Sequence, residues 1–194
     1  LIEGRGKVVD PNQINANSKI VKVKQASTRF VRRQKTNQLN IAVLHFGDEA
    51  AIAQSLTTNT VAIVHAIDKL LPKGETALDL GLKKAREELP LEGRDTVIDT
   101  NKPETPRDYV VVFTDGKPND EAAALAVAAD LRSKGVQIFS IHTADAPGNF
   151  LARLTGDPSR VISTTSRSID EAFIEVEKAI APSAGIAISS TGGK

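Results

Sequence analysis

Cysteine, methionine and tryptophan are absent from this sequence of 194 residues, and tyrosine occurs once. Without cysteine there is no disulfide, no thiol nucleophile and no thiolate metal site. The compartment stays open, because a lack of thiols fits either redox environment. With no Met even at position 1, the chain is expected to be a processed product or a fragment of something larger. Six Phe and one Tyr are too few aromatics for a base-stacking platform. An excess of one charge is missing too. Twenty-five basic residues stand against 24 acidic ones, a net charge of +1, so no global field favours nucleic acid or an anionic membrane. No apolar run is long enough to cross a bilayer, and no signal peptide is visible.

What is present is a globular composition, 40% hydrophobic and 25% charged, with enough length for one sizeable core. Residues 1–5 contain Ile-Glu-Gly-Arg and read as a protease-site linker. Residues 6–181 read as one domain without internal repeats, and 182–194 as a loose Ser/Gly-rich tail. Lys7 to Asp10 is a candidate first strand. A helix is expected from Ser18 to Gln34, with Ser18 as its N-cap. Leu39 to Phe46 reads as a central strand, and Ala50 to Leu56 as an antiparallel edge strand after a turn at 47–49. Helices follow at Thr58 to Leu71 and Thr76 to Leu89, split by Pro72-Lys73-Gly74. Pro90 to Arg107 is a long polar loop. The remaining periodicity predicts a strand at Tyr109 to Thr114, a helix at about 120–134 and a strand at Val136 to His142. A short helix at 150–155, a strand at 160–163 and a helix at 168–181 complete it. Strands alternating with helices imply a doubly wound, mostly parallel sheet. It has about six strands, one antiparallel at the edge, and helices on both faces, in a Rossmann-like α/β arrangement.

The most informative run is Val110 to Asp120. An apolar strand ends abruptly in Thr114-Asp115-Gly116, at the edge where open α/β sheets hold ligands. A charged carboxylate there has no core role, since burying it unpaired is costly. Two other loops should reach the same edge: one after Asp10, and one opening a helix at Gly74-Glu75-Thr76. Their carboxylates, amide and hydroxyl are hard oxygen donors, suited to Mg²⁺, Mn²⁺ or Ca²⁺.

Several segments in order resemble the von Willebrand factor A (vWA) domain family. Ser18-Lys19-Ile20 is similar to the family's first helix, and Ile41 to Ala50 to its second strand and turn. Gly74 to Leu78, Val111 to Asp120 and Gly135 to Ile141 match later motifs. Members often carry a metal-ion-dependent adhesion site: D-x-S-x-S after the first strand, a Thr in a second loop and an Asp after the fourth strand. The resemblance gives Thr76 the Thr role, Asp115 the last Asp role and Asp10 the first. The two Ser positions fall on Asn12, which offers a carbonyl oxygen, and on Ile14, which offers none. It implies a non-catalytic binding module in which a divalent cation takes an Asp or Glu of a partner protein, within a larger assembly. Lys117, Asn119 and the 90–107 loop would frame that face.

Two other functions stand beside this one: an interaction scaffold that has lost its metal, favoured by Ile14, and a Mg²⁺-dependent hydrolase using Asp10 and Asp115. The hydrolase lacks a nameable nucleophile–base pair. Plainer roles also compete. Asp115 would serve as an ordinary helix N-cap, Thr76 as an N-cap with Asp79 in a capping-box arrangement, and Arg29, Arg32, Arg33 and Lys35 as a solvated basic helix end. His45 and His142 read as packed imidazoles inside strands.

Overall fold

A computed structural model describes residues 2–3, 19–34, 39–71, 76–92, 108–115, 117–143 and 148–180; for 2–3 it describes the backbone alone. The elements run β1 (Ile2–Glu3), α1 (Lys19–Arg33), β2 (Ile41–Phe46), β3 (Ala50–Thr57), α2 (Thr60–Lys69), α3 (Leu78–Glu88) and β4 (Tyr109–Thr114). Then follow α4 (Glu121–Ser133), β5 (Gln137–His142), α5 (Gly148–Thr155), β6 (Val161–Ser163) and α6 (Ile169–Ile180). The strands are hydrogen-bonded in the order β3-β2-β1-β4-β5-β6. Among the described strands only β3 is antiparallel to its neighbour.

Two well-paired blocks, β2–β3 and β4–β5–β6, are joined among the described residues only by β1. Ile2 pairs with His45 on one side and Phe113 on the other. The central position is thus taken by residues read from the sequence as linker. The expected strand at Lys7 to Asp10 lies outside the described residues, as do Ser18, the 93–107 part of the long loop, and the tail. A cavity of about 400 Å³ runs beside the N-terminal halves of β2 and β4, lined by Ala42, Val43, Tyr109 and Val110 among others. It lies at the far end of the strands from Thr114.

Each block buries both faces. Leu44, Phe46, Val110, Val112 and Ile138 pack against α3, α4 and α5 through Leu82, Ala128, Leu131 and Leu151. Val43, Phe113, Phe139 and Ile141 pack against α1, α2 and α6 through Val23, Ile63, Phe173 and Val176. Alternate strand residues point to opposite faces, so a run such as Tyr-Val-Val-Val-Phe-Thr feeds both cores at once.

Local chemistry sets the helix ends. Asn59 caps α2, its side chain accepting from Val61 and Ala62 N–H at 3.1 and 3.2 Å. Asp120 caps α4, accepting from Ala123 N–H at 2.9 Å. Ser168 and Glu171 form a reciprocal capping box at α6: the Ser168 N–H donates to Glu171 at 2.6 Å, and the Glu171 N–H to the Ser168 hydroxyl at 3.2 Å. Gly156, at φ 72°, turns the chain after α5, where the Arg132 guanidinium donates to the terminal carbonyls of Arg153 and Leu154.

Two expectations are corrected here. The N-cap of α3 is Ala77, without a side-chain cap bond, and Asp79 pairs with Lys83 at 3.0 Å, so Thr76 and Asp79 form no capping box. The basic end of α1 is not simply a solvated face. Arg29 meets Asp170 at 2.8 Å and Arg33 meets Glu177 at 2.6 Å, both across to α6. Sequence separations of 141 and 144 residues hid those partners.

The packing of α3 on β2 is close at Gly81, where an added Cβ would sit 2.9 Å from the Phe46 ring. Phe46 is 2% exposed, so a shift of its ring disturbs the core around it. We expect Gly81→Ala to lose about 1–3 kcal/mol to overpacking, more than the roughly 1 kcal/mol that alanine gains as a helix former. Urea unfolding of the two proteins measures the difference. At α6, bonds from the Ser168 backbone and hydroxyl hold the Glu171 carboxyl below its ordinary value of 4.5. A depressed carboxyl adds stability above its unfolded value and loses it as pH falls through the folded one. Melting temperature against pH should therefore fall less steeply on the acid side for Glu171→Gln than for wild type.

Candidate metal-binding rim

The sheet order makes β1 and β4 neighbours, although β2 and β3 lie between them in the chain. Such a reversal opens a crevice beyond the carboxyl ends of the strands. Asp115 stands at that edge, directly after β4. One carboxylate oxygen, Oδ2, accepts from Lys19 Nζ at 3.3 Å. The other, Oδ1, is buried and has no hydrogen-bond partner among the described residues. The side chain as a whole is only 16% exposed. A buried carboxylate oxygen without a donor costs free energy unless positive charge compensates it.

The plainer reading of Asp115 does not apply, because Asp120 caps α4. Asp115 therefore has no helix-capping role.

Thr76 belongs to the same edge. Its residue is 1% exposed. Asn119, four positions after Asp115, brackets it: the Asn119 side-chain carbonyl accepts from Thr76 N–H at 3.2 Å, and Asn119 N–H donates to the Thr76 carbonyl at 2.9 Å. Ala77 N–H donates to the Gly47 carbonyl at 2.9 Å. Three connections, those after β2, before α3 and after β4, are stitched together by these bonds. With Ala77 as the helix cap, the Thr76 side chain is not used to cap α3.

The other expected residues fall as follows. Lys117 is exposed and pairs loosely with Glu121 at 3.5 Å. Asn119 is exposed, yet its carbonyl is committed to Thr76, so the residue holds the rim together. Asp10, Asn12 and Ile14 lie outside the described residues. Among the described residues no group of three His, Cys, Asp or Glu side chains is arranged to hold a metal. What the described part offers is one aspartate with an unpartnered oxygen beside a threonine loop. That donor set fits a hard divalent cation completed by further oxygens.

Sequence reasoning missed Lys19. The clue was available: a lysine opens α1, and no acidic residue occupies its first turn. A cation at a helix N-terminus opposes the macrodipole and gains from a nearby anion. Asp115 is that anion, 96 residues away in sequence.

Among the described residues no helix is long and apolar enough to cross a membrane. The sequence matches no curated protein significantly. Solved structures with a similar fold include proximal thread matrix protein 1 of the mussel byssus with a zinc-occupied MIDAS motif. It is 25% identical with a TM-score of 0.62, and the match covers 88% of this chain and 41% of that one. Manganese-loaded TRAP protein of Plasmodium vivax is 18% identical with a TM-score of 0.66, covering 94% and 70%. The vWF domain of the pili tip protein Mfa5 from Porphyromonas gingivalis is 13% identical with a TM-score of 0.61, covering 84% and 88%. The chain thus spans about two-fifths of the mussel protein's length. The model of the von Willebrand factor type A domain matches residues 9–176, most of the sequence, and the chain belongs to that family.

Proposed function

We propose that this domain is a non-catalytic protein-binding module that uses a divalent cation, Mg²⁺ or Mn²⁺, to engage an Asp or Glu of a partner protein. The observation that carries this reading is the buried, unpartnered Oδ1 of Asp115 on a rim shared with Thr76. Asp115, Thr76 and Asp10 would hold the cation, with the Asn12 carbonyl oxygen as a further donor. Ile14 supplies nothing, so water fills that position, which Mg²⁺ tolerates. A cation so held is under-neutralised, and it supplies a Lewis-acidic site that favours an anionic oxygen from outside. Lys117 adds positive charge at the mouth, which speeds encounter with an acidic partner. Asn119 acts indirectly, by holding the Thr76 backbone. In this reading the sheet is continuous and doubly wound, and the crevice at its reversal is the binding face. The zinc-occupied MIDAS motif of the mussel byssus protein and the manganese loading of the Plasmodium protein support a divalent cation here.

A second reading has one observation in its favour. Lys19 already neutralises part of Asp115, and Ile14 removes a donor, so a metal-free interaction scaffold is coherent. Partner binding would then persist in excess chelator.

Isothermal titration with Mn²⁺ and Mg²⁺ tests the first reading. Wild type should give saturable heat, and Asp115→Ala and Thr76→Ala should abolish it or weaken it at least about tenfold, the loss expected when a charge-assisted bond worth 1.5 kcal/mol or more disappears. No heat from wild type with either ion would rule out the metal. Asn119→Ala should weaken binding less. It should also cost about 1 kcal/mol of fold stability, the usual net worth of one internal hydrogen bond.

A further inference from the structure

Beside Asp115, a second buried oxygen on this edge has no hydrogen-bond partner among the described residues: the hydroxyl Oγ1 of Thr143. Thr143 directly follows β5, the neighbour of β4. The two strands are parallel, with Phe113 opposite Ile141 and Thr114 opposite His142. Thr143 N–H donates to the Thr114 carbonyl at 3.4 Å, which carries the pairing past the end of β5. Phe113 and Ile141 both enter the core beneath α1, α2 and α6. Alternate residues of an extended chain share a face, so Asp115 and Thr143 come next in the same column. The contact of Asp115 with Lys19, the first residue of α1, agrees with that face. Another buried, unpartnered hydroxyl on β5, that of Ser140, stands mid-strand opposite Val112, which packs in the other core. It belongs to the opposite face.

We propose that the Thr143 hydroxyl is an oxygen ligand of the cation held at Asp115, an inference that rests on the metal reading above. The two buried oxygens make no bond to each other. Each has lone pairs to offer, and a positive centre between them engages both at once. Neighbouring strands lie about 4.8 Å apart. Two adjacent oxygens on one Mg²⁺, each at about 2.1 Å, are roughly 3 Å apart. Side chains converging from paired positions reach that separation. The hydroxyl is neutral, so it adds a donor without adding charge, and the cation keeps its attraction for a partner's Asp or Glu. The backbone around Thr143 is fixed. Its carbonyl lies 2.8 Å from His142 Nδ1, and Thr164 N–H ties the end of β6 to the His142 carbonyl at 2.8 Å. A trapped water is the competing occupant.

The test compares wild type with Thr143→Val, which deletes the hydroxyl and keeps the shape, and Thr143→Ser, which keeps the hydroxyl. Isothermal titration with Mn²⁺ measures affinity, and water-proton relaxation by the bound Mn²⁺ counts the waters on the ion. Melting temperature in excess chelator reports the fold. Thr143→Val should bind Mn²⁺ about three- to tenfold more weakly, the equivalent of one neutral hydrogen bond. Its bound Mn²⁺ should carry an additional water. Thr143→Ser should stay within about twofold of wild type, because its hydroxyl makes the same bond. In chelator Thr143→Val should melt no lower than wild type, since the group it deletes is buried without a partner among the described residues. Equal Mn²⁺ affinity and equal water count in wild type and Thr143→Val return the hydroxyl to a trapped water; they overturn the Thr143 assignment and leave the metal reading standing. Weaker binding with an unchanged water count marks an indirect effect and likewise overturns the assignment alone. No heat from wild type or from either variant overturns both.

Discussion

A carboxylate oxygen shut away from water without a donor is the constraint on which this rim depends. Asp115 carries it, at the tip of the strand that adjoins the reversal in sheet order. Desolvation makes the negative charge expensive to keep, and Lys19 offsets part of that cost. The salt bridge alone is a weak stabiliser, being largely open to solvent on the lysine side. Its importance lies in what it leaves unfinished: one oxygen of two remains unsatisfied, so the site retains an attraction for positive charge.

The fold supplies the rigidity that this arrangement needs. Two apolar cores, one on each face of the sheet, fix the direction in which β2 and β4 end. Loop-to-loop bonds then join the ends. Asn119 grips Thr76 through both backbone groups, and Ala77 is tied to Gly47. A loop so held presents its threonine at the cost of a few neutral hydrogen bonds, without needing a helix cap. The helices behind are secured independently, α6 by its own capping box and by the Arg29 and Arg33 pairs from α1, α4 by Asp120. The proposed site and the packing of the helices therefore use different residues, except at Asn119.

Much of this was legible in the residues before any coordinates. The apolar run closed by Thr-Asp-Gly marks β4 at its observed bounds, because burial on both faces and a sharp turn leave a plain signature. The antiparallel edge strand after Gly47-Asp48-Glu49 was legible from the turn that sends the chain back along β2. What escaped was tertiary. Thr76 looked like a helix cap because local chemistry favours hydroxyls there, but its backbone is claimed by Asn119, and the helix starts two residues later. Arg29 and Arg33 looked merely solvated because their partners lie on α6. Lys19 was passed over since nothing local distinguishes it from any exposed lysine. β1 was not legible, because Ile2–Glu3 sits in a stretch that reads as a linker, and two residues carry no periodicity.

The most direct measurement is a crystal grown in Mn²⁺ and examined for anomalous scattering at the rim. The account predicts a peak within coordination distance of Asp115 Oδ1 and the Thr76 hydroxyl. A rim with no anomalous peak at saturating Mn²⁺ would contradict it.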